Sequence, residues 1–179
     1  MPTSFDGELK RKLISAEAAA ARVKSGDWVE YGFGLGQPDL FDRALAERVA
    51  SLERVKIRGC LAMRPRAAID ADPEARHVVY LSWYFSGLER KMHDRGLAHH
   101  IPMNFGEAPD NYRRFIDVDI AVLKTAPMDS HGFFNKPPSC VRLAALDLAD
   151  FDPTRHREGE HSDPSRAKVV RAGSNCLYL

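Results

Sequence analysis

The sequence predicts an α/β protein: an open, largely parallel sheet with helices on both faces over residues 1–135, then a tail over 136–179. The tail is expected to be mostly disordered with one helix. Three observations carry this reading. Short β-branched and aromatic runs alternate with helical patterns, and parallel strands need such crossover helices. Three glycines at every second position, Gly32-Phe33-Gly34-Leu35-Gly36, stand between a strand and a helix start. Finally, 14 of the 16 aromatic residues lie in the first 135 positions, so that stretch holds the material for a core.

The elements follow in order. Ser15 can cap a helix running from Ala16 to Val23, with Glu17 in its first turn and Ser25-Gly26-Asp27 ending it. Trp28-Val29-Glu30-Tyr31 reads as a strand. A helix starts near Pro38 or Asp39, and Phe41, Leu45, Val49 and Leu52 form one apolar stripe along it. Val55-Lys56-Ile57-Arg58 and the segment from His77 to Leu81 are strands, and Val118 to Leu123 is the clearest of all. Leu88 to His93 is a helix that Gly96 can terminate, and Tyr112 to Phe115 is a shorter one.

Composition narrows the function. Lys and Arg number 26 against 25 Asp and Glu, so no bulk field draws the chain to nucleic acid or a membrane surface. No run of eighteen apolar residues predicts a transmembrane helix, and Met1 to Gly7 lacks the apolar core of a signal peptide. Three widely spaced cysteines, Cys60, Cys140 and Cys176, fit a reducing compartment, so the expected location is cytoplasmic. Beyond Asn135, the segment from Arg155 to Pro164 has nothing apolar to bury, whereas Val141 to Leu148 suits one amphipathic helix.

Two loops can carry chemistry. The glycine run lets backbone approach a ligand, and the helix start beyond it offers unpaired N–H groups to an anion. It is neither a Walker A loop nor a dinucleotide fingerprint, and the alternative is a tight structural turn. The second loop, Pro102-Met103-Asn104-Phe105-Gly106-Glu107, follows another candidate strand, so both loops can sit at the carboxyl edge of one sheet. Asn104 can donate to a carbonyl oxygen. Glu107 is the loops' one acid, and it equally suits a helix start before Ala108-Pro109-Asp110. His93, His99, His100 and His131 with Cys60 lack metal-ligand spacing, so no metal site is expected. No G-x-S-x-G elbow supports a serine hydrolase.

At these residues the chain resembles the N-terminal domain of the acetyl-CoA hydrolase/transferase family, closest to its acyl-CoA:acetate CoA-transferases. The resemblance rests on Lys12 to Glu17, Gly26 to Pro38, Ile57 to Leu61, Pro102 to Glu107 and Pro127 to Asn135. It implies half of a two-domain enzyme whose catalytic glutamate attacks the acyl-CoA and carries coenzyme A as a thioester. That glutamate belongs to the C-terminal half of such enzymes, so no catalytic residue is expected among the residues here. Gly34, Leu35, Gly36 and Gln37 with Asn104, Phe105 and Gly106 would shape the acyl or carboxylate pocket. The implied ligands are an acyl-CoA and a small carboxylate, with coenzyme A as substrate and no cofactor. The implied partner is a C-terminal CoA-transferase half, in cis or in trans, and a homo-oligomer is also admitted.

The resemblance stops after Asn135, where Lys136-Pro137-Pro138-Ser139-Cys140 replaces the expected turn and strand. A truncated or frameshifted reading frame is one expectation, with the chain inactive alone. A stand-alone binding or regulatory module and one subunit of a split transferase are the alternatives.

Overall fold

Ser15 caps the first helix as its position predicts, accepting from the Ala18 amide at 3.1 Å. That helix, α1 (Ala16–Ala20), follows a two-residue strand, β1 (Leu13–Ile14). The computed structural model describes residues 13–124, Gly7, and the backbone of residues 168–172 and 177–178. After α1 come β2 (Trp28–Phe33), α2 (Asp39–Ala46), β3 (Val55–Cys60), α3 (Ala67–Asp70) and β4 (Val78–Ser82). Then follow α4 (Gly87–Asp94), β5 (Ala98–His100), α5 (Ala108–Arg114), β6 (Ile120–Lys124), β7 (Lys168–Ala172) and β8 (Leu177–Tyr178).

The strands form one sheet in the order β1-β8-β7-β6-β2-β3-β4-β5. Every pairing from β7 across to β5 is parallel, while β8 runs antiparallel to both β7 and β1. The chain moves outward from β2 through β3 and β4 to β5, then returns to the other side of β2 to lay down β6. The order therefore reverses between β2 and β6, a topological switch point. Helices cover both faces. Tyr31 reaches Asp42 on α2, while its neighbour Glu30 reaches Tyr112 on α5, and adjacent strand residues point to opposite sides.

The stripe Phe41, Leu45, Val49 and Leu52 is buried throughout, although α2 ends at Ala46. Val49–Ser51 continues it as a 3₁₀ turn. Arg48 sits at that break, and its guanidinium donates to the carbonyls of Ala20, the last residue of α1, and of Val23 in the turn beyond it. The main core joins these residues to Val29, Tyr31, Ile57, Val78 and Tyr80 of the sheet.

One irregularity in β2 positions the site. Glu30 pairs with Arg58, but Phe33 pairs with Cys60, so β2 carries one extra residue. Gly32 absorbs the bulge at φ +69°. Strict alternation would leave Phe33 beside Tyr31; instead it packs with Trp83 and Tyr112 on the side of Glu30.

In the tail, β7 lies beside β6 and β8 folds back on β7, strands the sequence reading did not place. The expected helix over 141–148 and the polar segment over 155–164 lie outside the described residues, as do His131 and the matching stretch over 127–135.

Candidate functional site at the carboxyl edge of the sheet

β2 ends at the switch point, and the glycine run turns there. Gly34–Gly36 is a single 3₁₀ turn with Gly34 at φ +49°, a conformation side chains other than glycine seldom adopt. Gly34 and Gly36 are buried, whereas the Leu35 side chain between them is 54% exposed. The turn passes through Gln37 and Pro38 into α2, whose first residue is Asp39.

Gln37 faces inward and has no exposed surface. Its Nε2 donates to the Tyr80 hydroxyl at 3.1 Å, and that hydroxyl donates to Glu89 Oε1 at 3.2 Å. Ser82 donates to the same carboxylate oxygen at 2.7 Å. The other oxygen accepts the Ser86 amide at 2.6 Å, closing a capping box at the start of α4. A buried relay thus runs from the cap of α4 to the end of the glycine turn. Burial pushes the Tyr80 hydroxyl well above its ordinary pKa, and the Glu89 carboxylate reinforces that, so it stays a donor.

The second loop reaches the same place. Asn104, Phe105 and Gly106 are exposed, and Phe105–Glu107 forms a 3₁₀ turn leading into α5. The Phe105 ring meets Phe33 edge-on with centroids 5.3 Å apart, and Phe33 in turn meets Trp83 at 6.1 Å. Beneath them lie Cys60, Trp83 and Tyr112, with Leu61, Ile101 and Met103 packed alongside. Leu35, Met63, Tyr84 and Phe105, from the loops after β2, β3, β4 and β5, are all large apolar side chains left exposed. A Cβ built on Gly34 would lie 3.9 Å from the Met63 side chain, so the loops after β2 and β3 touch.

Two buried charge centres flank the edge. Glu30 accepts from the Tyr112 hydroxyl at 2.6 Å and the Gly32 amide at 3.1 Å, with Arg58 at 3.5 Å. Burial raises its pKa, against the opposing pull of Arg58, Tyr112 and the Gly32 amide. Arg58 also stacks on Trp28, 4.5 Å from the ring centroid. On the other face Asp42 accepts from Tyr31 and from the Ala67 and Ala68 amides, and so caps α3 from outside. Burial raises its pKa, opposed by Arg66 and those amides. Asp39, at the surface, draws Arg64 (3.0 Å), Arg66 (3.3 Å) and Lys124 (3.7 Å).

The structure brings the two predicted loops together through Phe33 and Phe105, and leaves Leu35, Asn104, Phe105 and Gly106 open to solvent. Glu107 is exposed and precedes α5, the helix-start position its context suggested. Glu30 and Glu89 are committed to buried hydrogen bonds. The Cys60 thiol is pushed up to about 12, first by burial and then by Glu89, so it is not a ready nucleophile. His93 and His100 are occupied by the carbonyls of Ala98 and Trp83 at 2.7 and 3.0 Å. Among the described residues no helix is long and apolar enough to cross a membrane. The sequence reading missed the Glu30–Arg58–Tyr112 cluster and the cations around Asp39. Only Glu30 and Arg58, charged positions inside strand patterns, offered a signal.

This geometry accompanies clear likenesses. The model of the acetyl-CoA hydrolase/transferase N-terminal domain matches residues 4–149, past the boundary expected after Asn135. The butyryl-CoA:acetate CoA-transferase of Anaerostipes caccae is 44% identical over 144 residues, covering 80% of this chain and 32% of that protein. A probable butyrate:acetyl-CoA coenzyme A-transferase of Syntrophomonas wolfei is 41% identical, over 78% of this chain and 31% of its own length. The chain thus spans about a third of the length of these relatives. Among solved structures, RipA of Yersinia pestis superposes with a TM-score of 0.64 at 22% identity, over 74% of this chain and 33% of RipA. The acyl-CoA transferase YdiF of Escherichia coli O157:H7, solved as a thioester complex with CoA, gives 0.56 at 12% identity, over 91% of this chain and 48% of YdiF. These two structures share the fold; the sequence matches go further, and by them this chain belongs to the acetyl-CoA hydrolase/transferase family and carries its N-terminal domain.

Proposed function

We propose that this chain supplies the N-terminal half of an acyl-CoA:carboxylate CoA-transferase, with acetate as one carboxylate. In this reading the turn Gly34–Gln37 and the loop Asn104–Gly106 shape the pocket for the acyl or carboxylate group. The observation that carries it is the contact of Phe33, the last residue of β2 before the turn, with Phe105 of the second loop, where β2 ends at the switch point of the sheet. Exposed Leu35, Met63 and Phe105 offer apolar surface to an acyl chain there. Gln37, buried against Tyr80, acts by holding the turn rather than by touching substrate. As the family resemblance implies, the attacking glutamate comes from a C-terminal half, in cis or in trans; Glu107, exposed at a helix start, and the buried Glu30 and Glu89 agree with that. By itself the chain exchanges no acyl groups.

The test mixes this chain with, or fuses it to, the C-terminal half of the Anaerostipes caccae relative and measures acyl-CoA:acetate exchange. Exchange by the mixture and none by either half is the expected result. Gly34→Ala then separates a binding turn from a structural one. Among the described residues the added methyl meets nothing closer than 3.9 Å, so its structural cost there is the left-handed backbone alone, about 1–2 kcal/mol. A melting temperature lower by only a few degrees with a rate reduced at least about tenfold supports the pocket role. Exchange by the chain alone, or a rate unchanged by Gly34→Ala, contradicts the reading.

A further inference from the structure

We propose that Arg64 and Lys124, gathered with the buried Arg66 around Asp39, form a subsite for an oxyanion, the carboxylate or phosphate group of a ligand. Four side chains from three separate segments converge there. Asp39 opens α2, Arg64 and Arg66 lie in the loop after β3, and Lys124 is the last residue of β6. Asp39 Oδ2 takes Arg64 at 3.0 Å and Lys124 at 3.7 Å, and Oδ1 takes Arg66 at 3.3 Å. Three cations thus gather on Asp39, and with Asp42 also facing Arg66 they leave an excess of one positive charge.

A purely structural role accounts for one of these pairs. A single ion pair would tie α2 to the loop after β3. Exposed pairs contribute little, and further cations brought to an already paired carboxylate repel one another. An incoming anion removes that repulsion. Asp42, the nearest buried acid on α2, offsets part of the Arg66 charge while it accepts the Tyr31 hydroxyl and the Ala67 and Ala68 amides, so Arg64 and Lys124 keep only Asp39.

The cluster is also built to reach a ligand. The side chains of Arg64 and Lys124 are 45% and 34% exposed, so their charged ends meet solvent. The Arg66 side chain is 1% exposed, and its Nη1 has no hydrogen-bond partner among the described residues. Its charge acts from beneath the surface, where salt screens it poorly. The positive end of the eight-residue α2 adds to the same field, and the site adjoins the Gly34–Gly36 turn at the switch point. The subsite rests on charge and placement, and goes beyond the pocket-shaping role of the two loops.

The experiment titrates the full 179-residue chain with inorganic phosphate, acetate and coenzyme A separately, at constant ionic strength, by calorimetry. The variants are Arg64→Ala, Lys124→Ala, their double, and Arg90→Ala, an exposed arginine on α4, as control. We expect saturable 1:1 binding of at least one probe, weakened about tenfold or more in the double variant and unchanged in Arg90→Ala. Binding of acetate identifies a carboxylate as the source; binding of phosphate and coenzyme A without acetate identifies a phosphate. Should the double variant melt early, the single variants carry the comparison. No saturable binding of any probe to the wild type overturns the subsite, and so does equal binding by variants that melt normally. Coenzyme A bound equally by wild type and double variant would overturn the subsite and leave the transferase reading intact. Phosphate binding lost in the variants, with no acyl exchange from the reconstituted halves, would do the reverse.

Discussion

Gly59 offers the sharpest test of the relay beneath the glycine turn. It lies in β3 opposite Ser82, and a Cβ there would stand 2.8 Å from Gln37 Nε2, 3.2 Å from Tyr80 Cζ and closer still to the Tyr80 hydroxyl oxygen. Both neighbours are fully buried, so neither moves freely. Overpacking of this kind costs about 1–3 kcal/mol. Displacing the Gln37–Tyr80 hydrogen bond adds about 1–3 kcal/mol, because both groups are then buried without each other. Gly59→Ala should therefore lose about 2–6 kcal/mol, a large part of a typical domain's stability. Tyr80→Phe should lose about 1–3 kcal/mol by leaving Gln37 Nε2 without its partner. The informative variant is the double. Removing the hydroxyl also removes the methyl's closest obstacle, so the double should lose less than the sum of the singles by about 1–2 kcal/mol. Urea unfolding followed by the fluorescence of Trp28 and Trp83, the two tryptophans, measures all four corners. Additivity within about 0.5 kcal/mol would refute the reasoning, since it would mean the methyl and the hydroxyl never compete for space.

Glu30 predicts a pH dependence. Burial holds its carboxyl above the ordinary 4.5, so the folded chain binds that proton more tightly than the unfolded one. Its contribution is then full below 4.5 and declines as pH rises from there through the folded pKa; Glu30→Gln should flatten this limb, and equal slopes from urea unfolding between pH 4 and 8 would count against it. Ser86→Ala removes the hydroxyl that accepts the Leu88 and Glu89 amides at 3.1 and 3.3 Å, and should cost about 1 kcal/mol. Amide exchange at Leu88 and Glu89 should quicken while the β3 amides stay protected, and unchanged exchange would show that the cap contributes nothing.

The fold was legible wherever one local force dominated. Ser15 as a cap, the stripe from Phe41 to Leu52 and the β-branched run near Ile120 announced themselves because propensity and burial agree there. The capping box is equally local, with Ser86 and Glu89 three residues apart. α3 could not be read in this way, because its amides are capped by Asp42, 25 residues earlier in the chain. The bulge in β2 was hidden for a related reason: Gly32 is one glycine among several, and only pairing with β3 reveals the extra residue. For the site, sequence gave the two loops but not their contact, which depends on the ring of Phe33 changing sides. Asp39 and the cations around it come from three segments, with Lys124 85 positions beyond Asp39, and no spacing rule links them.

The one-residue bulge in β2 also divides the chain's tolerance to change into two compartments. Val29 and Tyr31 answer to the main core, where volume is fixed by Phe41, Leu45 and Ile57. Phe33 answers to a separate aromatic group that ends in the exposed ring of Phe105. Substitutions at Phe33, Leu35 or Phe105 can accumulate and be selected against one another without reopening the packing that holds the sheet together. A lineage could drift in the shape of this edge while its scaffold stays constant, and a laboratory library confined to those three positions would sample the same freedom.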